Sequence, residues 1–181
     1  RRSVYPQVYN DKTIEKEVIE TILENANWAP SHRQTRPWHF VVFSGEGKAK
    51  LAEFQSGLYK KLTSVENFEQ KIFDKLASKP LQCSHVIAIC MKRDKKESVP
   101  EIEEIEAVAC AVQNMHLTAS ANGIGAYWGT GGITYKDEAK SFFNLEQGDK
   151  LLGFFSLGYP KIEWPKGLDR DWKEHVTWIE K

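Results

Sequence analysis

The chain has 181 residues, 41% hydrophobic and 28% charged, with 25 basic against 25 acidic side chains and a pI near 7.1. This suits one compact domain, residues 1–181, with a sizeable core, and it excludes a disordered chain. Charge balance argues against a nucleic-acid binder, which needs a concentrated basic face, and apolar runs such as Val86–Met91 and Leu151–Leu157 are too short to cross a bilayer.

Residues 12–28 read as the first helix. Ile14, Val18, Ile22 and Ala26 share a ridge, Asp11 or Thr13 can cap the start, and Pro30 ends it. His39–Ser44 is a β-rich run, followed by Gly45-Glu46-Gly47 and a helical segment to about Leu62. A more polar helix covers Asn67–Ser78, and Val86–Met91 has strand length. The strongest pattern is Glu101–Asn122, where Ile105, Val108, Val112, Met115 and Ala119 recur at helical spacing and Ala107, Ala109 and Ala111 widen the apolar surface. Such a helix is buried on several sides, as a central core helix, a dimer seam, or both. Gly123–Gly132 then holds five glycines in ten residues. Residues 136–144 read as a short helix, and Leu151–Leu157 as a strand ended by Gly158-Tyr159-Pro160. The tail, 161–181, is rich in Trp and charge, with Val176–Ile179 a candidate edge strand. Few strands, separated by helices, imply a mixed sheet with helices packed around it; α/β and α+β folds both stay open.

Cys83, Cys90 and Cys110 are odd in number and dispersed, which suits buried reduced thiols in a cytoplasmic protein. The five histidines show no metal-ligand spacing, so no protein-bound metal is expected. No secretory signal is visible. The chain opens at Arg1 without a methionine, which leaves an upstream segment open.

Three segments could carry chemistry. Arg1-Arg2-Ser3 offers two guanidiniums and a hydroxyl, a donor fan suited to a phosphate; it also reads as a solvated basic terminus. Trp28–Trp38 joins a helix end to a strand with two prolines, several polar donors and a Trp at each end. It is either a cradle for a planar heterocycle or an ordinary connection anchored by its tryptophans. The glycine stretch is neither a Rossmann fingerprint nor a P-loop, because it follows a helix, has Trp128 where the third glycine belongs, and no G-K-[ST] occurs. It reads as backbone close to something flat, or as a helix C-cap at Asn122-Gly123 followed by a tight crossover. No nucleophile elbow is present, and the acidic run Glu101–Glu106 reads as the first turns of a helix rather than an acid–base pair.

Together the motifs resemble the nitroreductase family, in its small single-domain branch. The resemblance runs from Arg1 to Pro160 through Arg1-Arg2-Ser3, Ala29-Pro30-Ser31…Pro37-Trp38, Gly123-Ile-Gly125-Ala-Tyr-Trp128 and Gly153-Phe-Phe-Ser-Leu-Gly158-Tyr-Pro160. It implies an α+β fold with a central, mixed but mainly antiparallel sheet flanked by helices, in an intertwined homodimer with FMN at the interface. By that resemblance Arg1, Arg2 and Ser3 grip the FMN phosphate. Trp28, Pro30, Ser31, His32 and Gln34 reach ring and ribityl from the partner chain. Trp128, Gly129 and Thr130 pass the ring near N5, Arg170 completes the phosphate site, and the tail packs on the partner.

Three residues depart from the family's habit. Gln34 and Arg36 stand where Asn and Gln are common, and Tyr5 stands where a basic residue is common. The implied activity is ping-pong hydride transfer from NAD(P)H through FMN N5, with no protein catalytic residue, to a small electron-poor acceptor: a nitroaromatic, quinone or activated enone. A non-catalytic flavin carrier, or a specialised dehalogenase, dehydrogenase or flavin-degrading member, is the alternative.

Overall fold

The computed structural model describes residues 1–180. Its centre is the most apolar strand, β2 (His85–Met91), which is buried at every position. A strand of that kind needs packed layers on both faces. It pairs antiparallel with β1 (Trp38–Phe43) and with β4 (Lys150–Gly158), and β3 (Gly125–Gly129) flanks β4, giving the order β1-β2-β4-β3. All three strand pairings are antiparallel, and the N-terminal arm adds one isolated parallel bridge, Ser3 to Ala126, at the β3 edge.

Two helices cover one face, α1 (Lys16–Ala26) and α4 (Glu101–Ala121). There Ile22, Val108, Val112 and Met115 pack on Ile87, Ile89 and Phe155. The other face carries α2 (Gly47–Leu62) and the arm, with Leu51, Val4, Tyr9 and Phe143 against Val86, Ala88 and Phe154. The shorter α3 (Gln70–Ser78) packs beside α2. This is an α+β fold.

Several local expectations need correction. The first helix begins at Lys16, and neither Asp11 nor Thr13 caps it. Residues before it are held extended because the Ile14 N–H donates to Ser84 Oγ at 2.8 Å, tying the chain to the start of β2. The short helix expected over 136–144 is a 3-10 helix, Asp137–Phe143. Cys83 and Cys90 are buried, but Cys110 is exposed, because it shares with Glu106 and Gln113 the α4 face that points away from the sheet. Val176–Ile179 makes no ladder among the described residues and follows a 3-10 turn at Trp172–His175.

The glycine stretch is part cap and part strand. Gly123, at φ +69°, closes α4 while the Ile124 N–H donates to the Ala119 carbonyl at 2.9 Å and the Gly123 N–H to Ser120. The next five residues are β3. Gly125 and Gly158 are cross-strand partners, and a Cβ on either would collide with Tyr9, at 2.9 and 2.5 Å. Tyr9 lies there because its hydroxyl donates to the Val4 and Ser156 carbonyls. These glycines therefore make room for a buried ring that locks the arm to the sheet.

Candidate functional site

The arm and β3 lie side by side. Ser3 bridges Ala126, and the Val4 N–H donates to the Ala126 carbonyl at 3.0 Å. Arg1 and Ser3 are exposed at this edge. Behind them the buried His116 of α4 receives the Arg1 guanidinium on Nδ1 at 3.4 Å and faces the Arg2 carbonyl with Nε2 at 3.1 Å. The Arg2 guanidinium lies against Gly167, where any Cβ would overlap it. The tail therefore passes over the arm three residues before the exposed Arg170.

Beyond Ala126, β3 leads to a cavity of about 300 Å³ between α3, β3 and β4. Alternation along the strand puts Tyr127 and Gly129 on the cavity side. Gln55, Lys75, Lys79 and Phe154 complete the wall. Tyr127 is held between two neighbours, the Tyr5 ring with centroids 4.6 Å apart and Lys79 Nζ at 4.6 Å from its centroid. Burial, reinforced by Lys75, lowers the Lys79 pKa from its ordinary value. At Gly129 a Cβ would meet the Tyr127 ring at 2.8 Å and Lys79 Nζ at 3.3 Å, so bare backbone forms this part of the wall.

Trp128 points the other way. Its indole N–H donates to the Leu152 carbonyl at 3.0 Å, at a bulge where β4 shifts register against β2. The neighbouring Gly153 has φ +130°, and a Cβ there would strike the Gly129 carbonyl and Trp128 Nε1. The Trp128 donor is thus spent on the sheet, and its ring packs with the core on the α1 and α4 side, away from the cavity. Thr130 is exposed at the end of the strand.

The Pro30–Trp38 loop sits elsewhere. Arg33, Gln34 and Arg36 have φ of 50°, 54° and 46°. Left-handed backbone at three non-glycine residues is strain of order 1 kcal/mol or more each, which the surroundings must hold. Ser31 holds part of it by accepting the Arg36 N–H at 2.8 Å and bonding the Thr35 hydroxyl. His32 bonds Glu103 of α4, and Pro30, Ser31 and His32 border an open groove against Glu106 and Cys110. Trp28 is 79% exposed and Gln34 is also exposed.

Glu103 and His116 are thirteen residues apart on α4, about 20 Å at the helical rise. One chain therefore brings Arg1, Arg2, Ser3 and Gly129 to one edge, with Arg170 on the tail nearby, and holds Trp28, Pro30, Ser31, His32 and Gln34 apart from them. Sequence reasoning missed Lys79, Tyr127 and His116. Lys79 hides in a polar helical stretch, and His116 sits in a helix whose pattern announces only a core. Tyr127 was visible only as a neighbour of Trp128.

The model of the nitroreductase family matches residues 1–159. The oxygen-insensitive NAD(P)H nitroreductase of Salmonella typhimurium strain LT2 is 34% identical over 155 residues, covering 82% of this chain and 63% of that protein. The crystal structure of a nitroreductase-like family protein from Bacillus cereus superposes with a TM-score of 0.84 at 27% identity, covering 100% of this chain and 92% of that one. A Bacteroides fragilis nitroreductase crystallised with bound FMN has the same fold, with a TM-score of 0.71 at 21% identity over 99% of this chain and 95% of its own.

Proposed function

The chain belongs to the nitroreductase family, and from that premise we propose that it is an FMN-dependent oxidoreductase that uses NAD(P)H to reduce an electron-poor acceptor such as a nitroaromatic, a quinone or an activated enone. One observation carries the reading. The cationic arm is paired to β3, and β3 runs directly into a cavity walled by bare glycine backbone, an aromatic ring and a half-buried lysine. A phosphate at one end of that edge and a flat ring at the other suit this donor set.

Arg1, Arg2 and the Ser3 hydroxyl would hold the phosphate, because guanidinium and hydroxyl donors match its oxygens. Arg170, carried past Arg2 by the tail, would complete that end. Tyr127, Gly129, Thr130 and the backbone of Trp128 would wall the ring. When bound, FMN supplies the hydride chemistry through N5, in ping-pong order between donor and acceptor. The protein's own task there is electrostatic. Lys79 keeps a cation in a partly dry wall, where it stabilises negative charge more strongly than it would in water. It takes the place left open by Tyr5. Trp28, Pro30, Ser31, His32 and Gln34 cannot serve the arm of their own chain at this separation, so the loop of a second copy would close the site. The working unit is then an intertwined homodimer, placed in the cytoplasm.

The test is anaerobic. Purified protein is expected to release FMN on denaturation. NAD(P)H should bleach the bound flavin, and a nitroaromatic or quinone should restore its colour. Release of FAD, or no flavin after reconstitution with excess FMN, overturns the cofactor. Flavin that NAD(P)H leaves oxidised identifies a carrier without turnover.

A further inference from the structure

We infer that His116 is a positioning residue for the arm, its neutral ring tying Arg1 and Arg2 to α4 from opposite edges. The side chain is 5% exposed in a helix whose other inward positions are Val108, Ala111, Val112, Met115 and Ala119. Its ring edge packs on Phe155, with centroids 5.5 Å apart. An aliphatic side chain would fill that space equally well, so packing does not account for an imidazole.

The two ring nitrogens do. A guanidinium can only donate, so Nδ1 must be the acceptor for Arg1. A carbonyl can only accept, so Nε2 must carry the proton and donate to Arg2. Both bonds fit the neutral Nε2–H tautomer and no other form. Protonation would set an N–H at Nδ1 against the Arg1 guanidinium. The groups facing the ring are the Arg1 guanidinium and the Arg2 carbonyl from the arm, the Ala126 carbonyl from β3, and Phe155 from β4. Burial first, opposed by the Arg2 carbonyl and reinforced by the Arg1 charge, lowers the ring's pKa from its ordinary value.

The sign follows. A released ring titrates near the ordinary value, about 6.5, and the docked ring lower. Docking is therefore complete above that range and weakens as pH falls through it toward the docked value. The arm is the phosphate-binding element of the function proposed above, and the inference rests on that reading.

Three measurements test it. In histidine-labelled wild-type protein, ¹⁵N shifts should report a proton on Nε2 and a bare Nδ1 at neutral pH. His116→Leu keeps the packing and removes both bonds; it should weaken FMN binding about tenfold at pH 7.5 while leaving riboflavin binding unchanged. His116→Gln, with one donor and one acceptor, should recover most of the loss. Between pH 7 and 5.5 the wild type should lose more FMN affinity than His116→Leu, whose decline reports only the second ionisation of the phosphate, near 6. A proton on Nδ1, an unchanged FMN affinity in His116→Leu, or equal pH dependence in the two proteins overturns the inference. If the leucine variant does not fold, His116→Gln and the wild-type tautomer decide it. Wild-type protein that binds no flavin overturns the functional reading instead, and the tautomer still shows whether the arm docks on His116.

Discussion

Helix α4 and the tail after Pro160 both carry large apolar side chains, and the fold treats them in opposite ways. Along α4, Val108, Ala111, Val112, Met115 and Ala119 are at most 2% exposed. Along the tail, Leu168, Trp172, Trp178 and Ile179 are 82, 58, 72 and 88% exposed. The tail is the more charged of the two, and the surfaces the chain can offer separate them further. The sheet covers α4 on one side and α1 on another. Among the described residues the tail is tied to the arm by the Lys161 N–H on the Val8 carbonyl, at 2.9 Å, and by Gly167 against Arg2, and it forms a 3-10 turn at Trp172–His175. Apolar composition states that a segment will be covered, and the topology states whether its own chain can do it. We propose that a second copy covers the tail, with Val176–Ile179 adding an edge strand to that copy's sheet.

The largest effect expected is on assembly. Deleting 164–181 removes Trp164, Trp172 and Trp178, each worth roughly 1.5–3 kcal/mol when buried. The truncated protein should form a weaker dimer that loses FMN on dilution, read by ultracentrifugation with flavin fluorescence, while its monomer core stays folded. A truncated monomer with full FMN affinity would show that each chain builds its site alone.

Met115→Ala attacks the other side of the comparison. A fully buried methionine cut back to alanine should cost about 2–5 kcal/mol in denaturant titration, in the truncated and the full-length protein alike. Sensitivity confined to the full-length protein would mean that α4 owes its burial to the dimer. Arg1→Ala lies between the two regions and should weaken FMN binding by about 1.5–3 kcal/mol, the scale of a hydrogen bond to a charged group, with stability of the fold little changed. Arg170→Ala should act in the same direction by no more than about fivefold, because the residue is exposed and screened. An unchanged dissociation constant there removes Arg170 from the phosphate site and leaves the family membership untouched.

Periodicity determined α4 and unbroken apolar runs of strand length determined β2 and β4, because an element buried on several sides writes its burial into every position it occupies. The order of the arm, the Pro-Ser loop and the glycine stretch likewise determined the family, and the family determined the α+β fold. The rest was decided through space. Gly125 and Gly158 are glycines because Tyr9, more than a hundred positions from either in sequence, fills the room they leave. Cys110 is exposed because α4 shows the sheet only part of its circumference. Lys79 and His116 look like a surface lysine and a core histidine until the cavity and the arm are folded against them. The separation of the loop from the arm follows from anchoring each to a different part of one helix, about 20 Å apart. Local patterns record how much of a residue is buried; only the assembled chain records against what.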